Sequence, residues 1–180
     1  MLACPPGLAV GRVGLRMRTL IFLALLALST SSAALSGTVT RVADGDTLWV
    51  RLDPPEPGAD PGRRRPLKIR LQGIDAPERC QPWGAQAKAA LEGRVLHRRV
   101  RLKSSATDDY HRSIATLDLD GEDIGAWMVG QGHAWSARFH RSAGPYAAQE
   151  RAARSARRGL FADAGAVEPR LFRKAHGPCR

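Results

Sequence analysis

Two short segments gather carboxylates, Asp44-Gly45-Asp46-Thr47 and Asp75-Ala76-Pro77-Glu78. Two arginines belong with them: Arg70, five residues before Asp75, and Arg112, at the end of Thr107-Asp-Asp-Tyr-His-Arg112. Singly these are common features, since Asp-Gly and Asp-x-Pro form turns and an arginine in a basic chain is surface charge. Together they carry the parts that phosphodiester cleavage requires. A metal must polarise phosphoryl oxygens, a base must activate water, and fixed cations must stabilise the charge of the transition state. Asp46 with Asp75, then Glu78, then Arg70 with Arg112 supply those parts in that order. Oxygen-only donors at strand ends suit a hard divalent cation, and the planar arginine fork grips two phosphoryl oxygens at once.

The surrounding patterns predict the elements that hold these groups. Val39, Val42, Leu48, Val50 and Leu52 alternate with polar residues around Asp44-Gly45-Asp46, which reads as two strands joined by a tight turn. Leu67 to Ile74 alternates again and ends at Asp75, so Arg70 lies within a strand. Val100–Leu102 and Ile114–Leu119 are further short strands. Between strands, the Pro- and Gly-rich stretch from Asp53 to Gly62, followed by three arginines, is an exposed loop. Helices are expected from Pro82 to about Arg98, from Gly125 to Gly132 and from Tyr146 to Arg158. Gly159 stops the third, and Leu160-Phe161 packs back on the core. Short strands with interspersed helices suggest an α+β, mainly β domain. A small closed barrel of the OB type is favoured, although pattern alone does not separate it from an open sheet.

The chain has 180 residues, enough for one domain. Its 28 basic residues against 17 acidic ones give a net charge of +11, which favours a polyanionic partner, either nucleic acid or an anionic membrane surface. Residues 1–34 hold Arg12, Arg16 and Arg18, then the apolar run Thr19–Leu28, then small residues ending at Ala34. That order describes a secretory signal peptide, with Met17 an alternative start; the apolar run is short for a membrane span. Without it, 25 basic and 17 acidic residues remain, a net +8. The expected product is secreted or periplasmic, without stable membrane insertion, and monomeric. Export removes Cys4 and leaves Cys80 and Cys179, for which one disulfide is favoured over two free thiols. The domain then runs over 35–162, with a C-terminal tail over 163–180.

Val42-Ala-Asp-Gly-Asp-Thr47, Ile69-Arg-Leu-Gln-Gly-Ile-Asp-Ala-Pro-Glu78, Tyr110-His-Arg112 and Val129-Gly-Gln-Gly132 occur in order over Gly37 to Phe161. In that order and spacing the chain resembles the staphylococcal nuclease (thermonuclease) family, in its exported bacterial form. The resemblance implies an OB-fold five-stranded barrel with three helices. It implies a Ca²⁺ ion held by Asp46, Asp75 and the backbone carbonyl of Ala76, with Asp44 in the outer shell. It also implies Glu78 acting on the attacking water, Arg70 and Arg112 stabilising the transition state, and Tyr110 touching a substrate phosphate. The implied reaction is hydrolysis of DNA and RNA to 3′-phosphate ends.

Some positions depart from that pattern. His111 stands where the family has Gly, and Asp109 where a basic residue helps to hold phosphate. Beyond Gly132 the family's base-packing aromatics are not matched, and Arg138, Phe139 and His140 occupy that region. The competing reading is a non-catalytic OB-fold nucleic-acid binder. A binder, however, has no use for three carboxylates that repel phosphate in the absence of a cation.

Overall fold

The computed structural model describes residues 35–53, 65–139, 141–177 and 179; the signal-peptide reading, the loop tip at 54–64 and His140 lie outside them. Five strands form the barrel: β1 Leu35–Val42, β2 Thr47–Leu52, β3 Leu67–Leu71, β5 Arg99–Thr107 and β6 Ser113–Leu119. They run in the order β3-β2-β1-β5-β6, and a parallel pairing of β3 with β6 closes the ring. Closure leaves none of these five as a free edge. The closed mixed barrel with its helices is an OB-fold, α+β and mainly β.

Local sequence explains the curvature. In β1 a bulge between Val39 and Arg41 lets Val39 and Val42 both face the core despite their odd spacing. A second bulge lies between Ser104 and Ala106 of β5. That strand extends well past Val100–Leu102, because pairing with β6 carries it through the polar stretch to Thr107. Val39, Leu48, Val50, Ile69, Leu71 and Leu117 fill the barrel at 2% exposure or less.

Helix α1, Gly84–Val95, buries Ala87, Leu91 and Val95 on that core. Helix α2, Ile124–Gly130, starts at β7 (Glu122–Asp123), where the Asp123 carboxylate caps it by accepting from Ala126 N. Helix α3, Ala147–Ser155, ends before a 3₁₀ turn at Gly159–Ala162. That turn packs Leu160 and Phe161 with Trp135 and Ala153 as a second, smaller core. A two-residue strand β4, Ile74–Asp75, pairs with β8, Trp135–Ser136. A fourth helix, α4 at Pro169–His176, adds to the three legible in the periodicity. Pro169 sits in its first turn, where a missing N–H costs nothing. Cys80 and Cys179 are joined by a disulfide with Cα atoms 5.7 Å apart. None of the helices in the described residues is long and apolar enough to cross a membrane.

Candidate active site

The start of β2, the end of β3 and the start of β6 meet at one rim. Thr47 pairs with Arg70, and Arg70 pairs with Ile114, so Asp46, Arg70 and Arg112 are brought to adjacent positions by backbone register. A cleft of about 410 Å³ opens there, lined among others by Asp44, Asp46, Arg70, Glu78, Tyr110 and Arg112. Gly45 permits the approach of its loop: a Cβ would lie 2.7 Å from the Ala76 Cβ and 2.8 Å from that of Ala87.

Asp46 is 7% exposed, yet its carboxylate is well partnered. Oδ2 accepts from Ala76 N at 2.9 Å and faces Arg70 Nη1 in an ion pair; Oδ1 accepts from the Thr47 hydroxyl at 3.1 Å. That ion pair rests on charge, since Arg70 Nη1 is buried without an aligned hydrogen bond. Arg70 Nη2 donates to Asp75 Oδ1 at 3.1 Å, so one guanidinium spans both carboxylates. Burial pulls the Arg70 pKa down, but Asp46, Asp75 and Asp44 together outweigh it and raise it. The group stays charged.

Asp44 lies behind this pair, accepting from Asp46 N at 3.1 Å. Burial and then the neighbouring Asp46 charge push its pKa up to about 6. Asp75 is likewise raised, chiefly by burial, despite the opposing pull of Arg173 and Arg70.

Arg112 is aimed by Asp108. Its Nε donates to Asp108 Oδ2 at 2.7 Å, and its backbone N donates to Asp108 Oδ1 at 2.9 Å. Nη1 reaches the Thr47 hydroxyl at 3.4 Å. Tyr110 is 77% exposed beside it, with the guanidinium carbon 5.3 Å from the ring centroid. His111 has φ +56°, the left-handed conformation that glycine adopts freely, so the turn keeps its shape at a conformational cost.

The structure thus gathers Asp44, Asp46, Arg70, Ala76, Glu78, Tyr110 and Arg112 on one cleft, and Asp75 reaches it through Arg70. Thr47, Asp108 and Arg173 join them without having been singled out from sequence. Thr47 and Asp108 lie inside the segments already named, and their roles follow from hydrogen bonds that spacing does not reveal. Arg173 lies in the tail segment Phe172-Arg-Lys174, and its reach to Asp75 and Glu78 is not legible there. Arg138, in the region where the family's base-packing aromatics are not matched, is committed to Glu150 at 2.7 Å and to Glu168.

Among the described residues no three His, Cys, Asp or Glu side chains are gathered closely enough to cage an ion by themselves. Asp46 and Asp75 nevertheless present only oxygens, and both are held in ion pairs with the one Arg70 guanidinium. Among the described residues the cleft lining holds no thiolate or imidazole, and that donor set fits a hard divalent cation completed by carbonyl, water or phosphate oxygens.

An OB barrel whose rim joins buried carboxylates to aimed guanidinium groups is built for phosphodiester chemistry. Residues 68–163 match the family described as staphylococcal nuclease homologue. The chain is 38% identical to Protein ParB of Escherichia coli, over 83% of this chain and 85% of that protein. It is 33% identical to the micrococcal nuclease of Shigella flexneri, over 77% and 80% of the two chains. An uncharacterized endonuclease of Haemophilus influenzae is 31% identical over 76% and 71%. The chain belongs to the staphylococcal nuclease family and is a nuclease, of a family that is metal-dependent.

Proposed function

We propose that this protein is an exported, Ca²⁺-dependent nuclease that hydrolyses DNA and RNA to 3′-phosphate products. The observation that carries the reading is Arg70 spanning Asp46 and Asp75 at the rim where Glu78 and Arg112 also converge. Calcium held by Asp46 and Asp75, with the Ala76 carbonyl and with Asp44 behind them, would supply Lewis-acid polarisation of the phosphoryl group. Glu78 takes the proton of the attacking water. Arg70 and Arg112 grip the phosphoryl oxygens as charge builds, each already fixed by carboxylate partners so that little reorganisation is needed. Tyr110 offers its exposed hydroxyl to a neighbouring phosphate. The bond to the 5′ oxygen breaks, and the phosphate remains on the 3′ side.

Export is supported by the basic–apolar–small order of residues 1–34 and by the Cys80–Cys179 disulfide, which suits an oxidising compartment. We read the protein as a monomer. The test is hydrolysis of denatured DNA and of RNA with Ca²⁺, with chelator, and with Glu78→Gln. Activity that survives chelation, or that the Gln variant retains in full, overturns the reading.

A further inference from the structure

Arg173 enters the acidic end of the cleft from α4. Its Nη1 donates to Glu78 Oε1 at 2.8 Å and to Asp75 Oδ1 at 3.2 Å, and its Nη2 donates to Asp75 Oδ2 at 3.1 Å. These are carboxylates that the proposed chemistry needs for a cation and for a proton. Arg173 covers both oxygens of Asp75 whereas Arg70 touches only Oδ1, so a divalent cation that takes Asp75 meets the Arg173 guanidinium first, and like charges at ion-pair distance repel. When a cation arrives, Arg173 must leave.

It cannot go far. Beyond the C-terminal end of α4, Cys179 is bonded to Cys80. Before its N-terminal end, the Gln81 amide donates to the Val167 carbonyl at 2.6 Å, and Arg138 pairs with Glu168. Pro169 is buried. The helix is therefore tied at both ends, while the Arg173 side chain is 41% exposed on a long, flexible stem. A rotamer change moves the head and leaves the helix in place. The cleft it swings within already holds Lys68, Arg70 and Arg112, the groups suited to a polyanion. Its fork already grips a carboxylate through two nitrogens, and a phosphate offers a closely similar pair of oxygens.

We propose that Arg173 is a third phosphate-binding arginine of this cleft, resting on Asp75 and Glu78 until a divalent cation takes them and then turning to the substrate. The inference rests on the cation reading given above, and it makes the disulfide-tied C-terminal helix part of the substrate site.

The experiment uses the full mature chain and its Arg173→Gln and Arg173→Lys variants, each checked for folding by circular dichroism. Without DNA, Ca²⁺ titrated by calorimetry or Tb³⁺ by luminescence is expected to bind Arg173→Gln several-fold more tightly than wild type. At saturating Ca²⁺, single-stranded DNA hydrolysis by that variant is expected to show KM raised about 5- to 10-fold, with the loss falling on KM. The slope of log kcat/KM against log salt should shrink by roughly 0.7, the share of one phosphate contact on a single strand. Arg173→Lys should restore the slope. Unchanged KM and salt slope, or a KM that falls, overturns the inference: Arg173 then only fastens or plugs the tail. A separate control addresses the underlying reading. If the wild-type chain shows no cation binding that Asp46→Asn weakens, the cation assignment fails. If it does, and Arg173→Gln changes nothing, only the role of Arg173 fails.

Discussion

Arg112 Nη1 donates to the hydroxyl of Thr47 at 3.4 Å, joining the turn before β6 to the first residue of β2. The same hydroxyl donates to Asp46 Oδ1 at 3.1 Å, so one oxygen ties the arginine proposed to stabilise the transition state to a carboxylate proposed to hold the cation. Thr47→Val keeps shape and burial but leaves both partners short of a bond. It is expected to lower turnover by about tenfold and stability by about 1 kcal/mol, with Thr47→Ser restoring both. Steady-state kinetics beside a denaturant melt separates the effects.

Asp108 holds Arg112 through both the guanidinium and the backbone N–H. Arg112→Lys retains a charge but loses the fork, and kcat is expected to fall by about 100-fold or more. Asp108→Asn retains the backbone bond and weakens only the aim, so its loss should be smaller. Equal losses would mean that Asp108 does more than orient its neighbour.

The Cys80–Cys179 bridge spans 99 residues of sequence. Loop closure on that scale restricts the unfolded chain, and dithiothreitol is expected to reduce stability by about 2–4 kcal/mol. Calorimetry of the oxidised and reduced protein reads the difference directly. A melting temperature unmoved by reduction would show that the bridge is not formed in solution.

His133 accepts a hydrogen bond from Trp83 Nε1 at 3.2 Å and stacks on the same ring. Burial lowers its pKa below the ordinary 6.5. The unfolded chain therefore takes up a proton before the native one does, and stability is lost as pH falls from about 6.5 through the lower native value. Above pH 7 the group contributes no slope. His133→Gln should flatten this part of the stability–pH curve, measured by urea denaturation between pH 5 and 8.

The turn at His111 offers a further check. A non-glycine residue at φ +56° carries strain, and His111→Gly is expected to stabilise the protein by up to about 1 kcal/mol. A lower melting temperature for that variant would mean that the imidazole makes a compensating contact.

Much of this site is legible because its residues lie where strand alternation breaks off into acidic turns. Asp44–Asp46, Asp75–Glu78 and the turn ending at Arg112 each sit beside a recognisable strand, and barrel closure brings those strand ends together. The β4–β8 pairing is two residues long and has no period to read. The end of β5 lacks alternation and owes its form to its neighbour β6. Helix α4 has Pro169 in its first turn but only Leu171 and Phe172 as large apolar residues, too few to show a face. Arg173 is one of 28 basic residues, and its neighbours in the chain do not show that it reaches Asp75 and Glu78. Its place at the cleft comes from the fold, which brings the C-terminal helix back to the segment of Asp75 and Glu78 and ties it beside them through Cys179 and Cys80.

The parallel seam between β3 and β6 is only three pairs long, Ile69 with Ser113 to Leu71 with Ala115. Arg70 lies in the middle of it, directly after Arg112 has entered from the other side. A polypeptide with every other strand in place but this seam unzipped would keep most of its apolar interior and still have no assembled machinery. Enzymatic output therefore reports on this one stitch of the barrel. Recovery of hydrolysis during renaturation should lag behind the return of far-ultraviolet dichroism whenever that stitch is the slow event.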